Sequence, residues 1–279
     1  MRIVDAKLIT DAVARLCVEA NINLPRDVRG AVRGARETEP WETARGVLST
    51  IEENSELAST LGIPVCQDTG MACVFLDVGR DAHIDGDVYD AVNAGVARGY
   101  AEGFLRKSIV GDPLRRVNTG DNTPAALYLD IVPGDKITVT VAPKGFGSEN
   151  MSRVKMLRPS DGADGVVDFV VETVELAGGN PCPPIVVGVG LGGNFDKAAL
   201  LAKRALLRPL TEHNADTYYA ELEAALLEKI NALGIGPMGF GGRTTALGVN
   251  ILAAPTHIAG LPAAVNVSCH VTRHASEVI

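Results

Sequence analysis

Ile185-Val186-Val187-Gly188-Val189-Gly190-Leu191-Gly192-Gly193-Asn194-Phe195-Asp196-Lys197-Ala198-Ala199-Leu200-Leu201 passes from a strand pattern to a helix pattern through glycines. A short β-branched run, Ile185 to Val189, predicts a strand. A glycine-rich joint follows, and then a helical pattern from Phe195 to Leu207. The same texture spreads in both directions. Ala72 to Val78, Ala126 to Val132, Ile137 to Ala142, Leu247 to Ala253 and Ala263 to Val267 read as strands. Val88 to Gly99, Ala163 to Leu176 and Ala215 to Leu233 read as helices. Mixed patterns of this kind predict an α/β or α+β architecture. Residues 1–61 differ: Ile3 to Ala20, a second helix opening at Pro25, and Trp41 to Leu61 predict a helical N-terminal layer. One domain over 1–279 is the expectation, with mixed sheets behind that layer.

The glycine joint Gly188 to Gly193 also fits a dinucleotide-binding pattern, after a strand and before a helix. A nucleotide site of that type needs an acidic residue about 20 positions on, at the end of a second strand. Here that region is helical, so the pattern is weak support for a nucleotide-dependent oxidoreductase.

Bulk properties narrow the classes. The 279 residues are 46% hydrophobic and 22% charged, with a formal net charge of −8. A polyanion is repelled on average by such a protein, which argues against nucleic acid as a partner. No apolar run is long enough to predict a membrane span, because Pro255, His257 and Pro262 interrupt the most apolar tract. Met1 to Thr10 lacks a secretory layout, so a cytoplasmic location is expected.

Five cysteines, Cys17, Cys66, Cys73, Cys182 and Cys269, are widely spaced and odd in number, which argues against a disulfide framework. Cys17 falls on an amphipathic helix and Cys73 opens an apolar strand; both read as small core residues. Cys66 lies in a polar turn, Cys182 in Gly178-Gly179-Asn180-Pro181-Cys182-Pro183-Pro184, and Cys269 at a strand end before His270. Three such thiols suit a [4Fe–4S] cluster with one open iron, or a zinc ion taking one further ligand, or three unrelated roles. Basic residues crowd residues 106–155: Arg106, Lys107, Arg115, Arg116, Lys144, Arg153 and Lys155. Most belong on a solvated surface, while an inward arginine would clamp a carboxylate through its fork. His83 and His213 read as surface residues, and His257 sits between two apolar segments.

Five motifs then stand in order along the chain: Pro64-Val65-Cys66-Gln67-Asp68-Thr69-Gly70, Gly120-Asp121-Asn122-Thr123-Pro124-Ala125, Lys144-Gly145-Phe146-Gly147-Ser148-Glu149-Asn150, Gly192-Gly193-Asn194-Phe195-Asp196-Lys197-Ala198, and His257-Ile258-Ala259-Gly260-Leu261-Pro262 running on to Cys269. Together they resemble the alpha subunit of class I, oxygen-sensitive fumarate hydratases and the sibling L(+)-tartrate dehydratases, over nearly the whole chain. The resemblance implies that Cys66, Cys182 and Cys269 hold a [4Fe–4S] cluster acting as Lewis acid in hydration of fumarate to (S)-malate. L(+)-tartrate or a mesaconate-type acid is the alternative substrate. It implies that Asp68 and His257 are catalytic and that Gln67, Arg106, Lys144, Gly145 and Gly147 bind the dicarboxylate. Arg106 stands in Leu105-Arg106-Lys107-Ser108, similar to a family motif. The chain ends where single-chain relatives begin a smaller domain carrying a threonine, arginines and a lysine. A separate beta subunit is therefore the expected partner, in a heterodimer or a dimer of heterodimers. One departure is Phe146, where many relatives have glycine. Two readings remain outside the class: a zinc-binding structural subunit, resting on the same three cysteines, and a nucleotide-dependent oxidoreductase, resting on Gly188 to Gly193.

Overall fold

The computed structural model describes all 279 residues. In chain order the elements are β1 (Arg2–Asp5), α1 (Ala6–Ile22), α2 (Arg26–Thr38), α3 (Glu42–Leu61), β2 (Met71–Gly79), β3 (Ala82–Asp85), α4 (Val88–Glu102), β4 (Ala126–Val132), β5 (Ile137–Lys144), α5 (Phe146–Glu149), β6 (Arg153–Leu157), α6 (Gly162–Ala177), β7 (Ile185–Gly193), α7 (Phe195–Ala205), α8 (Thr217–Ala232), β8 (Ala246–Thr256), β9 (Leu261–Ser268) and β10 (Ala275–Val278). The mixed α/β class follows, as the alternating texture predicts. Four short strands escape the sequence patterns: β1, β3, β6 and β10. The first of these takes residues expected to begin a helix.

Two compact units divide the chain. Unit one comprises Met1–Pro25, Ser55–Phe146 and Arg273–Ile279; unit two comprises Arg26–Asn54 and Gly147–Thr272. The expected helical layer of residues 1–61 is thus shared: α1 belongs to unit one, α2 to unit two, and α3 begins in one unit and ends in the other.

Unit one is built on a four-stranded sheet in the order β10-β5-β2-β4, with β2 and β4 parallel and β5 antiparallel to β2. Successive side chains of a strand face opposite sides, and the burial obeys this. Ala72, Val74, Leu76 and Val78 of β2, with Ile137, Val139 and Val141 of β5, meet Ile9, Val13, Leu16 and Cys17 of α1 and Val92, Val96 and Tyr100 of α4. On the other face of β2, Phe75 stacks on Tyr128 with ring centroids 4.8 Å apart.

Unit two is built on a sheet in the order β6-β9-β7-β8, in which β8 runs parallel to β7 and β9 antiparallel to it. Ile185, Val187, Val189 and Leu191 of β7 pack with Phe169, Val170 and Val174 of α6 and Leu226 and Ile230 of α8. The intervening glycines face the opposite side. A Cβ on Gly188 would lie 2.1 Å from the Ala202 carbonyl oxygen of α7, and one on Gly190 2.0 Å from that of Ala198. Those glycines let the helix lie directly on the strand. The Val-Gly-Val-Gly-Leu sequence is therefore a strand buried on both faces, with bulk on one side and none on the other. Asn194 ends the strand and caps α7, its side chain accepting the Lys197 N–H at 3.1 Å. No helix is long and apolar enough to cross a membrane.

Candidate functional site

In unit one the loop leading into β2 carries Cys66, Gln67 and Asp68, and several buried groups fix its shape. The Tyr100 hydroxyl lies 2.7 Å from the Thr69 carbonyl oxygen and 2.9 Å from that of Gly70. Asn122, buried and at a positive φ of 66°, donates to the Gly70 carbonyl at 3.1 Å and accepts the Ser108 N–H at 2.6 Å. Thr69 donates to the carbonyl of Arg106 at 2.9 Å. The motif around Asn122 therefore serves the cysteine loop and the Arg106 segment at once. Gly70, with φ 75°, would bring a Cβ within 2.8 Å of the Lys144 backbone, so only glycine fits.

The end of β5 lies against this loop. Met71 pairs with Lys144 in the sheet register. Asp68 accepts the Phe146 N–H at 3.0 Å through one oxygen and the Gly70 N–H at 3.0 Å through the other. Gly145 faces the same carboxylate, with room for a Cβ only 3.1 Å from it. Unit one thus brings together Cys66, Gln67, Asp68, Arg106, Lys144 and Gly145. Gln67 and Arg106 are exposed, Cys66 and Asp68 half-buried and Lys144 buried. Phe146 is 45% exposed.

In unit two the remaining cysteines gather at the end of the sheet where β7 begins. Cys182 lies three residues before β7, and Cys269 follows β9, whose Ser268 pairs with Val186. Two contacts bind the segments: the Cys182 carbonyl accepts the His270 N–H at 3.3 Å and lies 2.9 Å from His270 Nδ1. Cys182 has a positive φ of 55°, a sparsely populated conformation for a side chain with a Cβ. Gly147 approaches the same loop, within 3.9 Å of the Asn180 carbonyl when a Cβ is placed on it. Beyond it, Ser152 Oγ accepts the Asn266 side-chain amide at 2.7 Å and the Val267 N–H at 3.1 Å.

The glycine loop before β8 is at this end too. Met238 N–H donates to the Pro183 carbonyl at 2.7 Å. Its far side is held by Glu39, 1% exposed, whose carboxylate accepts the backbone N–H groups of Arg243 at 2.9 Å and Thr244 at 3.1 Å. Glu39 gives no signal in the sequence; an acid before Pro40 reads as surface, and only the fold shows what it holds.

His257 is elsewhere. It is exposed, in the turn joining β8 to β9, with Nδ1 accepting the Ala259 N–H at 3.1 Å. Gly193 pairs with Thr256, so that turn lies where β7 ends. At about 3.3 Å per residue, β7 holds the turn roughly 25 Å from the Cys182 end. The structure brings Cys182, Cys269 and Gly147 together in unit two and does not bring His257 to them.

The cysteines divide by environment. Cys17 and Cys73 are buried, while Cys66, Cys182 and Cys269 are half-buried. Burial pushes the Cys17 thiol up to about 12, so it stays protonated and is a poor metal ligand. The half-buried three suit thiolate ligation in number and chemistry. No group of three or more His, Cys, Asp and Glu side chains stands as a ready-made metal cage, so the fit is one of donor chemistry rather than preformed geometry.

Comparison with known proteins gives the family. The sequence profile of the family described as fumarate hydratase (fumerase) matches residues 10–278. A putative L(+)-tartrate dehydratase subunit alpha of Methanocaldococcus jannaschii is 44% identical over 274 residues, covering 96% of either chain. The L(+)-tartrate dehydratase subunit alpha of Escherichia coli strain UTI89 is 33% identical over 272 residues, covering 96% of this chain and 89% of that one. Fold, cysteine loops and full-length similarity together define a hydro-lyase chain. The chain belongs to the fumarate hydratase family.

Proposed function

We propose that this chain is the alpha subunit of a two-subunit hydro-lyase that hydrates fumarate to (S)-malate, with Cys66, Cys182 and Cys269 as ligands of a [4Fe–4S] cluster. The separation of the half-buried Cys66, Cys182 and Cys269 from the buried Cys17 and Cys73 carries the assignment. When bound, the cluster supplies an open iron as Lewis acid and template for hydroxyl and carboxylate. Asp68 holds or releases the proton at the neighbouring carbon, its carboxylate oriented by the Gly70 and Phe146 N–H groups. Arg106, exposed beside the same loop, clamps a substrate carboxylate. Gln67, Lys144, Gly145 and Gly147 supply further polar and backbone contacts to the anion. His257 stands roughly 25 Å from the Cys182 end of its own sheet, farther than a four-carbon dicarboxylate held at the cluster can span, so no contact with that substrate is assigned to it within the same chain.

The names of the relatives favour a second reading, L(+)-tartrate as substrate, which differs by one hydroxyl. A separate beta subunit completes the enzyme in either case, and cytoplasmic, oxygen-sensitive operation in a heterodimer or a dimer of such pairs follows from the same proposal.

The test is anaerobic co-purification with the candidate beta subunit, followed by iron, sulfide, fumarate and tartrate assays before and after air. About four irons and four sulfides per alpha chain, with activity lost in air, is the expected result. Serine at Cys66, Cys182 or Cys269 should each abolish cluster content, and Cys17→Ser should not. A colourless, sulfide-free protein inert to both acids would overturn the proposal.

A further inference from the structure

Arg273 lies four residues beyond Cys269 and is 6% exposed. One of its terminal nitrogens donates to the carbonyl of Asp68, two residues from Cys66. Its Nε and its other terminal nitrogen are buried with no acceptor. Buried guanidinium groups are ordinarily matched by hydrogen bonds and an anion, because an isolated charge is costly in a low dielectric. No carboxylate ion-pairs with Arg273, and the neighbouring Tyr100 is a neutral phenol whose hydroxyl is turned to Thr69 and Gly70. Unit one therefore buries a positive charge under the Cys66–Gly70 loop and leaves it uncompensated. Its two unpaired nitrogens have no open surface, so the charge acts through the interior rather than by touching a ligand with them, and low dielectric lets it act over several ångströms.

We infer that Arg273 is a positioning residue and a buried counter-charge for an anion held on the Cys66–Gly70 loop, fixing the Asp68 carbonyl with one N–H and offsetting the anion's charge with the rest. The anion is the dicarboxylate, the thiolate-ligated cluster, or both. The naming of both anions rests on the function proposed above.

Two measurements on Arg273→Gln and Arg273→Lys, in the alpha–beta complex, decide it. The first compares binding of succinate, a doubly charged and unreactive dicarboxylate, with succinamate, its singly charged analogue. The Gln variant should lose roughly tenfold in the succinate-to-succinamate preference, equivalent to one charge interaction of about 1.4 kcal/mol, and Lys should restore most of it. The second is the reduction potential of the cluster, which should fall in the Gln variant and return in the Lys variant. A change in the first arm assigns the counter-charge to substrate, and in the second to the cluster. Unchanged preference and unchanged potential, with only a lower melting temperature, would leave Arg273 a structural hydrogen bond and overturn the inference. Should the Gln variant not fold, Arg273→Met replaces it on the same readings; failure of both neutral variants while Lys folds with a disturbed preference also overturns it. Iron and sulfide measured on the same wild-type samples keep the two proposals apart. A wild type lacking both sinks the cluster, while the succinate preference still tests Arg273.

Discussion

Asp68 accepts two backbone N–H groups and faces Gly145, so its carboxylate is held in one orientation beside the Cys66 loop. Replacing it with asparagine keeps the size, leaves one of the two N–H groups without its acceptor and removes the ability to exchange a proton. Asp68→Asn should lower kcat by about 10²–10⁴ while iron and sulfide content stay at wild-type levels. A variant of undiminished kcat would move the proton transfer to another group. Cys17 makes a different claim at the same scale. Its thiol is pushed from an ordinary 9.0 up to about 12 by burial. A raised folded value means that the stabilisation is fully present below pH 9 and is lost as pH climbs towards 12. The slope is about 1.4 kcal/mol per pH unit for one proton. Cys17→Ala should flatten the alkaline loss, read from urea midpoints at about pH 8 and about pH 10; an unchanged slope would assign that loss to other groups, Tyr100 among them, which burial also pushes upward.

At the scale of elements, the β7–α7 contact gives a packing reason for a sequence pattern that also fits a dinucleotide loop. Gly188 and Gly190 are glycines because α7 carbonyls lie where a Cβ would be. Gly190→Ala should therefore cost on the order of 1–3 kcal/mol through overpacking, seen as a lower melting temperature, and should not alter any nucleotide affinity. A stable Gly190→Ala protein would mean that α7 can lift from the sheet. The glycine loop before β8 has the opposite dependence, on a single carboxylate. Glu39→Ala strips acceptors from the Arg243 and Thr244 N–H groups, with an expected loss of about 1–3 kcal/mol per orphaned donor. Circular dichroism melts would check it, and a wild-type melting temperature would show that water replaces the carboxylate.

For the whole molecule, each unit has its own apolar core on its own sheet. Fold should therefore not depend on metal in the way that it does in small metal-nucleated domains. For the proposed cluster, oxidation followed by chelation should abolish hydration and leave the far-ultraviolet circular dichroism and cooperative unfolding intact. Collapse of secondary structure on cluster removal would instead make the cluster a folding element. Much of this architecture is legible from residues alone. The strand over Ala126–Val132 has the same bounds in the sequence pattern and the fold, and the helices beginning at Val88 and Phe195 start where the pattern places them. The short strands β1 and β10 are not legible, because four residues of alternating pattern acquire meaning only beside β3 and β5.

What the sequence determined by itself was chemical and local: an α/β chain, two core cysteines apart from three in loops, and ordered motifs that resemble one family. These depend on side-chain type and spacing, which the chain carries wherever it goes. Partnership at a distance came from the fold alone. Asp68 meets Gly145 and Phe146, Cys182 is tied to the residue after Cys269, His257 stands at the far end of β7, and Arg273 is buried without an anion. Each depends on strand order and on which loops share a sheet end, and loop closure over 75 or more residues leaves no periodic mark in a sequence.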